Sequence, residues 1–144
     1  MANFPDKARV VVIGGGVVGC SVLYHLAKKG WGECVLLEKN ELTAGSTWHA
    51  AGNVPTFSTS WAVMNMQRYS TELYARLGDE VDYPMNYHQS GSIRLAHSKE
   101  RMQEFERACA MGRYQGIPME IWTPEEAKAR YPFLETHDLA GVLP

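Results

Sequence analysis

The stretch RVVVIGGGVVGC, Arg9 to Cys20, decides the fold. Val10, Val11, Val12 and Ile13 form a continuous β-branched run that ends in glycines. Such a run predicts a central parallel strand buried on both faces. From Val17 to Lys29 the pattern turns helical, with Val18, Val22, Leu23 and Leu26 on one side. Lys28 and Lys29 fall in the last turn, and Gly30 supplies a C-terminal stop. CVLLE, Cys34 to Glu38, reads as a second buried strand, which completes a βαβ unit. Gly14, Gly16 and Gly19 sit at the strand-to-helix junction with the spacing GxGxxG. Gly14 permits the tight turn, Gly16 lets the backbone approach a pyrophosphate, and Gly19 lets helix and strand pack closely. The amides at the helix start, Val17 and Val18 among them, offer N–H donors and partial positive charge to phosphates. Glu38 ends the second strand 19 residues after Gly19. A carboxylate there can accept hydrogen bonds from both ribose hydroxyls, and it would repel a 2′-phosphate, which argues against NADP. The motif predicts dinucleotide binding and leaves NAD and FAD open.

The bulk properties narrow the class. The chain has 144 residues, 45% hydrophobic and 21% charged, with a formal net charge of −2, as an ordinary globular domain does. No basic face for nucleic acid is predicted. The three cysteines, Cys20, Cys34 and Cys109, form no CxxC pair and read as reduced, mostly buried thiols. No apolar run reaches membrane-spanning length. The opening MANFPDKA lacks the apolar centre of a secretory leader and no transit peptide is evident, so a cytoplasmic, bacterial location is expected.

After Glu38 the periodicity stops. Residues 40–60 are rich in Gly, Ala, Ser and Thr and read as one long loop, a type that is often functional. Trp61 to Leu77 predicts an amphipathic helix with Met66, Tyr69, Leu73 and Leu77 inward and Gly78 as its end. GSIRLA, Gly91 to Ala96, alternates like a half-buried strand. Ser98 is placed to cap a helix from Lys99 to about Gln115, ended by Gly116. Met119 to Trp122 reads as a short strand. Thr123-Pro124-Glu125-Glu126 is a helix start with the makings of a capping box, and that helix stops at Tyr131-Pro132. LAGVLP at the end reads as the start of a strand. Two parallel strands alone leave apolar surface uncovered. The expectation is therefore α/β: a Rossmann-like βαβ unit with its loop in residues 1–60, then the start of an α+β substrate-binding domain in 61–144, as a fragment of a larger protein.

The loop EKNELTAGSTWHAAG runs from Glu38 to Gly52 where an ordinary NAD domain would begin another helix. Its small residues let a backbone run along a flat cofactor, and Gly45, Ser46 and Thr47 supply N–H and hydroxyl donors. Here the sequence resembles the dimethylglycine and sarcosine dehydrogenase family, within the D-amino-acid-oxidase-like flavoproteins. The residues that carry the resemblance are VVIGGGVVGCS, VLLEK and LTAGSTWHAAG, with HQSGSIRLAHSKERMQEFE closer to the dimethylglycine branch. It extends from Arg9 to the chain end.

The resemblance implies FAD as cofactor, bonded covalently through His49 to the flavin 8α-methyl carbon. It implies a cofactor site formed by Gly14, Gly16, Val17, Val18, Gly19, Glu38, Lys39, Gly45, Ser46, Thr47, Trp48, His49, Ala50, Ala51 and Gly52. A neutral imidazole is a suitable nucleophile for such a bond. The reaction implied is hydride transfer from an N-methyl amine such as dimethylglycine or sarcosine to the flavin. An electron acceptor, protein or oxygen, then reoxidises it. Tetrahydrofolate enters only where a C-terminal folate domain follows. Eukaryotic relatives of this family work in the mitochondrial matrix. A regulatory homologue without oxidase activity, or a chain inactive on its own, is the competing reading.

Taken alone, His49 reads as a hydrogen-bonded core histidine in preference to a reactive one, and Trp48 either as a wall of the flavin site or as a packing residue. His25 reads as a helix-surface residue. With His88, His97 and His137 it shows no ligand spacing, so no metal site is predicted. Arg94 could clamp a substrate carboxylate, but a solvent-facing role on a half-exposed strand is preferred. Tyr87 and His88 are weaker candidates, and SKERMQEFER reads as a solvated helix face. The sequence marks no catalytic residue.

Overall fold

Strand β1 is the run Val10–Ile13, helix α1 spans Val17–Lys28, and strand β2 is Cys34–Leu37. These come from a computed structural model that describes residues 5–144, so part of the opening MANFPDKA lies outside it. β1 and β2 pair in parallel, with Val10 opposite Cys34 and Ile13 opposite Leu37. The right-handed βαβ crossover requires a helix on one face, and α1 packs on both strands. The helix ends as the sequence predicts. Gly30 donates to the Ala27 carbonyl at 2.9 Å and Trp31 to the Leu26 carbonyl at 3.0 Å, the paired bonds of a Schellman motif.

Two expectations for this unit fail for one reason. Neither strand is buried on both faces: in β1 Val12 is buried but Ile13 is 85% exposed, and β2 is only half-buried, with Leu37 exposed. The apolar side of α1 also divides, with Leu23 and Leu26 half-buried while Val18 and Val22 are exposed. One helix covers one face of a two-stranded sheet, so a residue is inside only where it points between them.

The remaining elements are α2 (Trp61–Val81), β3 (Arg94–Ala96), α3 (Lys99–Tyr114), α4 (Pro124–Arg130) and β4 (Gly141–Leu143). β3 and β4 pair antiparallel, Arg94 opposite Leu143 and Ala96 opposite Gly141. One apolar cluster joins Ala96, Phe105, Ala108, Cys109 and Leu143, and a second joins Ala127, Leu139 and Val142. Ser98 caps α3 by accepting from the Arg101 N–H. Thr123 and Glu126 form the full capping box of α4, at 3.2 and 2.9 Å.

Here too the structure corrects the sequence reading. Gly78 does not end α2, which continues to Val81 and stops at Asp82 in the left-handed conformation (φ 49°). Gly78 is needed instead where the chain turns back, since a Cβ there would lie 3.1 Å from the Tyr83 carbonyl. The inward residues of α2 are Met64, Thr71 and Leu73, whereas Met66 and Tyr69 are exposed. Within SKERMQEFER, Phe105 is core and Met102 packs against it. Met119 to Trp122 is no strand, and only Trp122 bridges to Val142. His25 is half-buried, with Nδ1 2.6 Å from the Ser21 carbonyl.

The chain packs as two compact units, Met1–Asn53 and Val54–Pro144. No helix among the described residues is long and apolar enough to cross a membrane.

Candidate dinucleotide and flavin-loop site

The site grows out of the turn between β1 and α1. Gly14 turns with φ 102°, a conformation that costs residues with a Cβ, and its N–H donates to the Leu37 carbonyl at 2.8 Å. Gly19 is fixed by contact: a Cβ there would lie 1.8 Å from the Gly14 carbonyl oxygen, inside van der Waals contact. Gly16 is the N-cap of α1 and gives it no side-chain cap, and the first turn carries no acidic residue. The helix start is thus left for a partner from elsewhere.

Thr47 is one such partner. Its Oγ1 accepts from the Val17 N–H at 3.0 Å, across 30 residues of sequence. A Cβ on Gly16 would come 3.0 Å from the same oxygen. The missing side chain at Gly16 therefore makes room for Thr47, a role the glycine spacing does not reveal. Thr47 keeps its own hydroxyl proton to donate.

Glu38 is held by two amides. Oε2 accepts from the Gly15 N–H at 2.7 Å and Oε1 from the Asn40 N–H at 2.9 Å. These bonds, the Gly15 one foremost, hold its carboxyl below the ordinary value of 4.5, so it is ionised at neutral pH. Each oxygen uses one lone pair on an amide and retains another for an incoming hydroxyl.

Gly15 and Asn40 are the residues sequence reasoning missed. Gly15 is buried, and a Cβ on it would meet Glu38 Cβ at 3.0 Å and Leu42 Cδ2 at 2.6 Å. The signal was present as the middle glycine of GGG. Thr43 (φ 67°) adds a further tie by donating from its N–H to the Gly15 carbonyl at 2.9 Å.

The loop coils rather than running extended. Trp48 N–H reaches the Gly45 carbonyl, His49 N–H the Ser46 carbonyl and Ala50 N–H the Thr47 carbonyl, at 3.1 to 3.3 Å. His49 is exposed, not a core histidine, and its Nδ1 lies 3.0 Å from the Gly45 carbonyl. A carbonyl oxygen only accepts, so in this bond Nδ1 carries the proton and the neutral ring keeps its lone pair on Nε2. Trp48 is 78% exposed and Val18 74%. Lys39, Ala51 and Gly52 are exposed as well. Among the described residues no hydrogen bond joins these three to the glycine turn.

The donor and acceptor set fits a dinucleotide. The helix start is not capped by its own N-cap side chain, although Thr47 and not a phosphate takes the Val17 N–H that the sequence reading offered. Beside it are open space at Gly14, where a Cβ would touch nothing, and an ionised, pre-oriented carboxylate. Among the described residues no cluster of His, Cys, Asp or Glu could hold a metal ion. Cys20, Cys34 and Cys109 are free thiols, but contrary to the sequence reading only Cys109 is buried, and that burial pushes its thiol up. Arg94 is exposed and lies over the Phe57 ring at 5.5 Å.

Comparison with known proteins agrees with this geometry. The chain is 44% identical over 97% of its length to the mitochondrial dimethylglycine dehydrogenase of Rattus norvegicus. To the mitochondrial sarcosine dehydrogenase of Mus musculus it is 38% identical over 96%. To the mitochondrial pyruvate dehydrogenase phosphatase regulatory subunit of Mus musculus it is 40% identical over 96%. It spans about 15 to 16% of the length of these relatives. The crystal structure of L-proline dehydrogenase from P. horikoshii superposes with a TM-score of 0.86 at 30% identity, over 97% of this chain and 37% of that one. The profile of the FAD dependent oxidoreductase family, DAO, matches residues 9–143, and the chain belongs to that family.

Proposed function

We propose that this chain is the FAD-binding part of an amine dehydrogenase that oxidises an N-methyl amine such as dimethylglycine or sarcosine. In this reading residues 1–60 hold the cofactor and 61–144 begin the substrate-binding domain. The glycine turn and the α1 start hold the pyrophosphate, Glu38 the ribose hydroxyls, and Gly45 to Gly52 the isoalloxazine end. When bound, FAD supplies the redox chemistry, accepting a hydride from the carbon next to nitrogen. The protein binds and orients. Thr47 ties the flavin loop to the phosphate helix, and Glu38 selects a 2′-hydroxyl over a 2′-phosphate. His49 offers Nε2 as the atom that bonds the flavin 8α carbon.

The observation that carries this reading is the hydrogen bond from His49 Nδ1 to the Gly45 carbonyl. It leaves Nε2 on an exposed ring as the free nucleophile. Acid precipitation of the full-length protein tests it. The expected result is yellow colour retained in the pellet of wild type and released from His49→Ala. Colour that leaves wild type completely would end the covalent reading.

The identity to the phosphatase regulatory subunit favours a second reading, in which the whole protein regulates and oxidises nothing. A panel of dimethylglycine, sarcosine, betaine and proline derivatives with an electron-acceptor dye separates the two. Flavin reduction by an N-methyl amine supports the dehydrogenase, and none by any member supports the regulator. Reoxidation by a protein or by oxygen, use of tetrahydrofolate by a C-terminal domain, and a cytoplasmic location belong to the proposal. The curated relatives named above are mitochondrial, and fractionation reads the compartment.

A further inference from the structure

Leu42 is an apolar side chain with no core to join. It is 60% exposed, belongs to neither apolar cluster, and stands among the polar Asn40, Glu41 and Thr43. A single leucine on a surface is ordinary, so what it touches decides whether it has a task.

Its tip lies on Gly15. A Cβ built on Gly15 would come 2.6 Å from Leu42 Cδ2, 3.0 Å from Glu38 Cβ and 3.2 Å from Glu38 Cγ. Leu42 and the stem of Glu38 therefore press on the same side of Gly15 Cα, in the space a side chain would fill. Both polar groups of Gly15 are engaged. Its N–H donates to Glu38 Oε2 at 2.7 Å, and its carbonyl accepts from the Thr43 N–H at 2.9 Å. Thr43 follows Leu42 directly and holds φ 67°, so the second bond fixes the backbone that presents Leu42.

These contacts act on Glu38 in two ways. A glutamate loses rotamer freedom when it is fixed in one geometry. An apolar group packed beside its stem removes some of the alternatives before any ligand arrives. The same group covers one side of the Gly15–Glu38 bond, and a hydrogen bond to a carboxylate strengthens as water is excluded. We propose that Leu42 is a positioning residue: it wedges the Glu38 carboxylate against Gly15 and so aims the lone pairs left on that carboxylate at the ribose hydroxyls of the cofactor. This role rests on the reading of Glu38 as the ribose acceptor, and Leu42 acts only through Glu38.

Calorimetry on the full-length His49→Ala protein, stripped of flavin, tests it with two probes. One is ADP; the other is 2′,3′-dideoxy-ADP, which lacks the hydroxyls that Glu38 accepts. ADP is expected to bind at least about tenfold more tightly, as hydrogen bonds to a charged acceptor imply. Leu42→Ala should cut that preference about threefold or more, with dideoxy-ADP still bound within about twofold of the parent. Leu42→Met, which refills the space, should keep the preference. In a Glu38→Gln background, Leu42→Ala should leave the preference where Glu38→Gln alone puts it, because no carboxylate remains to be aimed. Equal weakening of both nucleotides by Leu42→Ala would mark a mere prop and overturn the proposal, as would a further fall in preference in the Glu38→Gln background. A parent protein that binds no ADP, or binds both probes alike, would refute the ribose reading and this role with it. A parent that prefers ADP, with the preference unchanged in Leu42→Ala, would refute this role alone.

Discussion

At the scale of single residues, Gly19 has the least freedom. Gly19→Ala would place a methyl group 1.8 Å from the Gly14 carbonyl, and both partners are backbone. Relief requires moving α1 off β1, so a loss of at least about 3 kcal/mol is expected, at the upper end of overpacking costs. A urea midpoint within error of wild type would refute this. Thr47→Val keeps the shape and removes the acceptor for the Val17 N–H. The expected loss is about 0.5–2 kcal/mol, as for a lost helix cap, with Thr47→Ser near wild type by the same measurement. Glu38 adds a pH dependence. Its folded-state pKa is lowered, so the unfolded chain binds the proton more readily. Its stabilisation is complete above the ordinary value of 4.5 and is lost as pH falls through the lower folded-state value. Glu100 and Glu135 shift the same way, so the measure is a difference. Between roughly pH 5.5 and 3, Glu38→Gln should flatten the fall in urea midpoint seen for wild type. Parallel curves would remove Glu38 as a source. Gly14, Gly19 and Glu38 could be placed at the turn from sequence because each satisfies a local rule of spacing, whereas His49 taken alone reads as a core histidine and is exposed. Gly15 is visible only as the middle glycine of GGG, and the reason for it is not, because that reason is a carboxylate 23 residues away.

At the scale of elements, local chemistry decided what could be read. Helix ends with side-chain or glycine signals, at Gly30, Ser98, Gly116 and Thr123, fell where the sequence put them, because caps are set within a few residues. The end of α2 did not. Gly78 carries the same signal, but the Tyr83–Met85 segment packing on it is a tertiary fact. The inward faces of α1 and α2 were misjudged for a related reason, since periodicity identifies a stripe and not what covers it. The caps make a prediction of their own. Gly116 holds φ 70° at the C-terminus of α3 and donates to the Arg113 carbonyl at 3.1 Å. Gly116→Ala should cost about 1 kcal/mol, and Thr123→Ala, which opens the α4 capping box, about 1 kcal/mol. The sites share no contact among the described hydrogen bonds, so the double variant should show the sum in thermal or urea unfolding.

At the scale of the whole molecule, the two units carry unequal cores. Of the hydrophobic residues buried among those described, Val12 alone belongs to Met1–Asn53, while Met64, Phe105, Val142, Leu143 and others belong to Val54–Pro144. Stability follows buried apolar area, so the first unit should open at lower free energy than the second. The first unit also holds the whole candidate cofactor site, and a ligand that binds only its folded form stabilises it by mass action. The gain is about 2.7 kcal/mol at a hundred times the dissociation constant. Native-state hydrogen exchange separates these effects. Without ligand, amides of β1, α1 and β2 should exchange faster than those of β3, α3 and β4. Adding FAD should slow β1, α1 and β2 by up to about a hundredfold and leave the buried Phe105 region unchanged. Phe105→Ala should do the reverse, costing about 3–5 kcal/mol in the second unit while exchange in the first stays as in wild type. Uniform protection across both units, or slowing by FAD confined to Val54–Pro144, would break the link between the thin core and the cofactor it is built to hold.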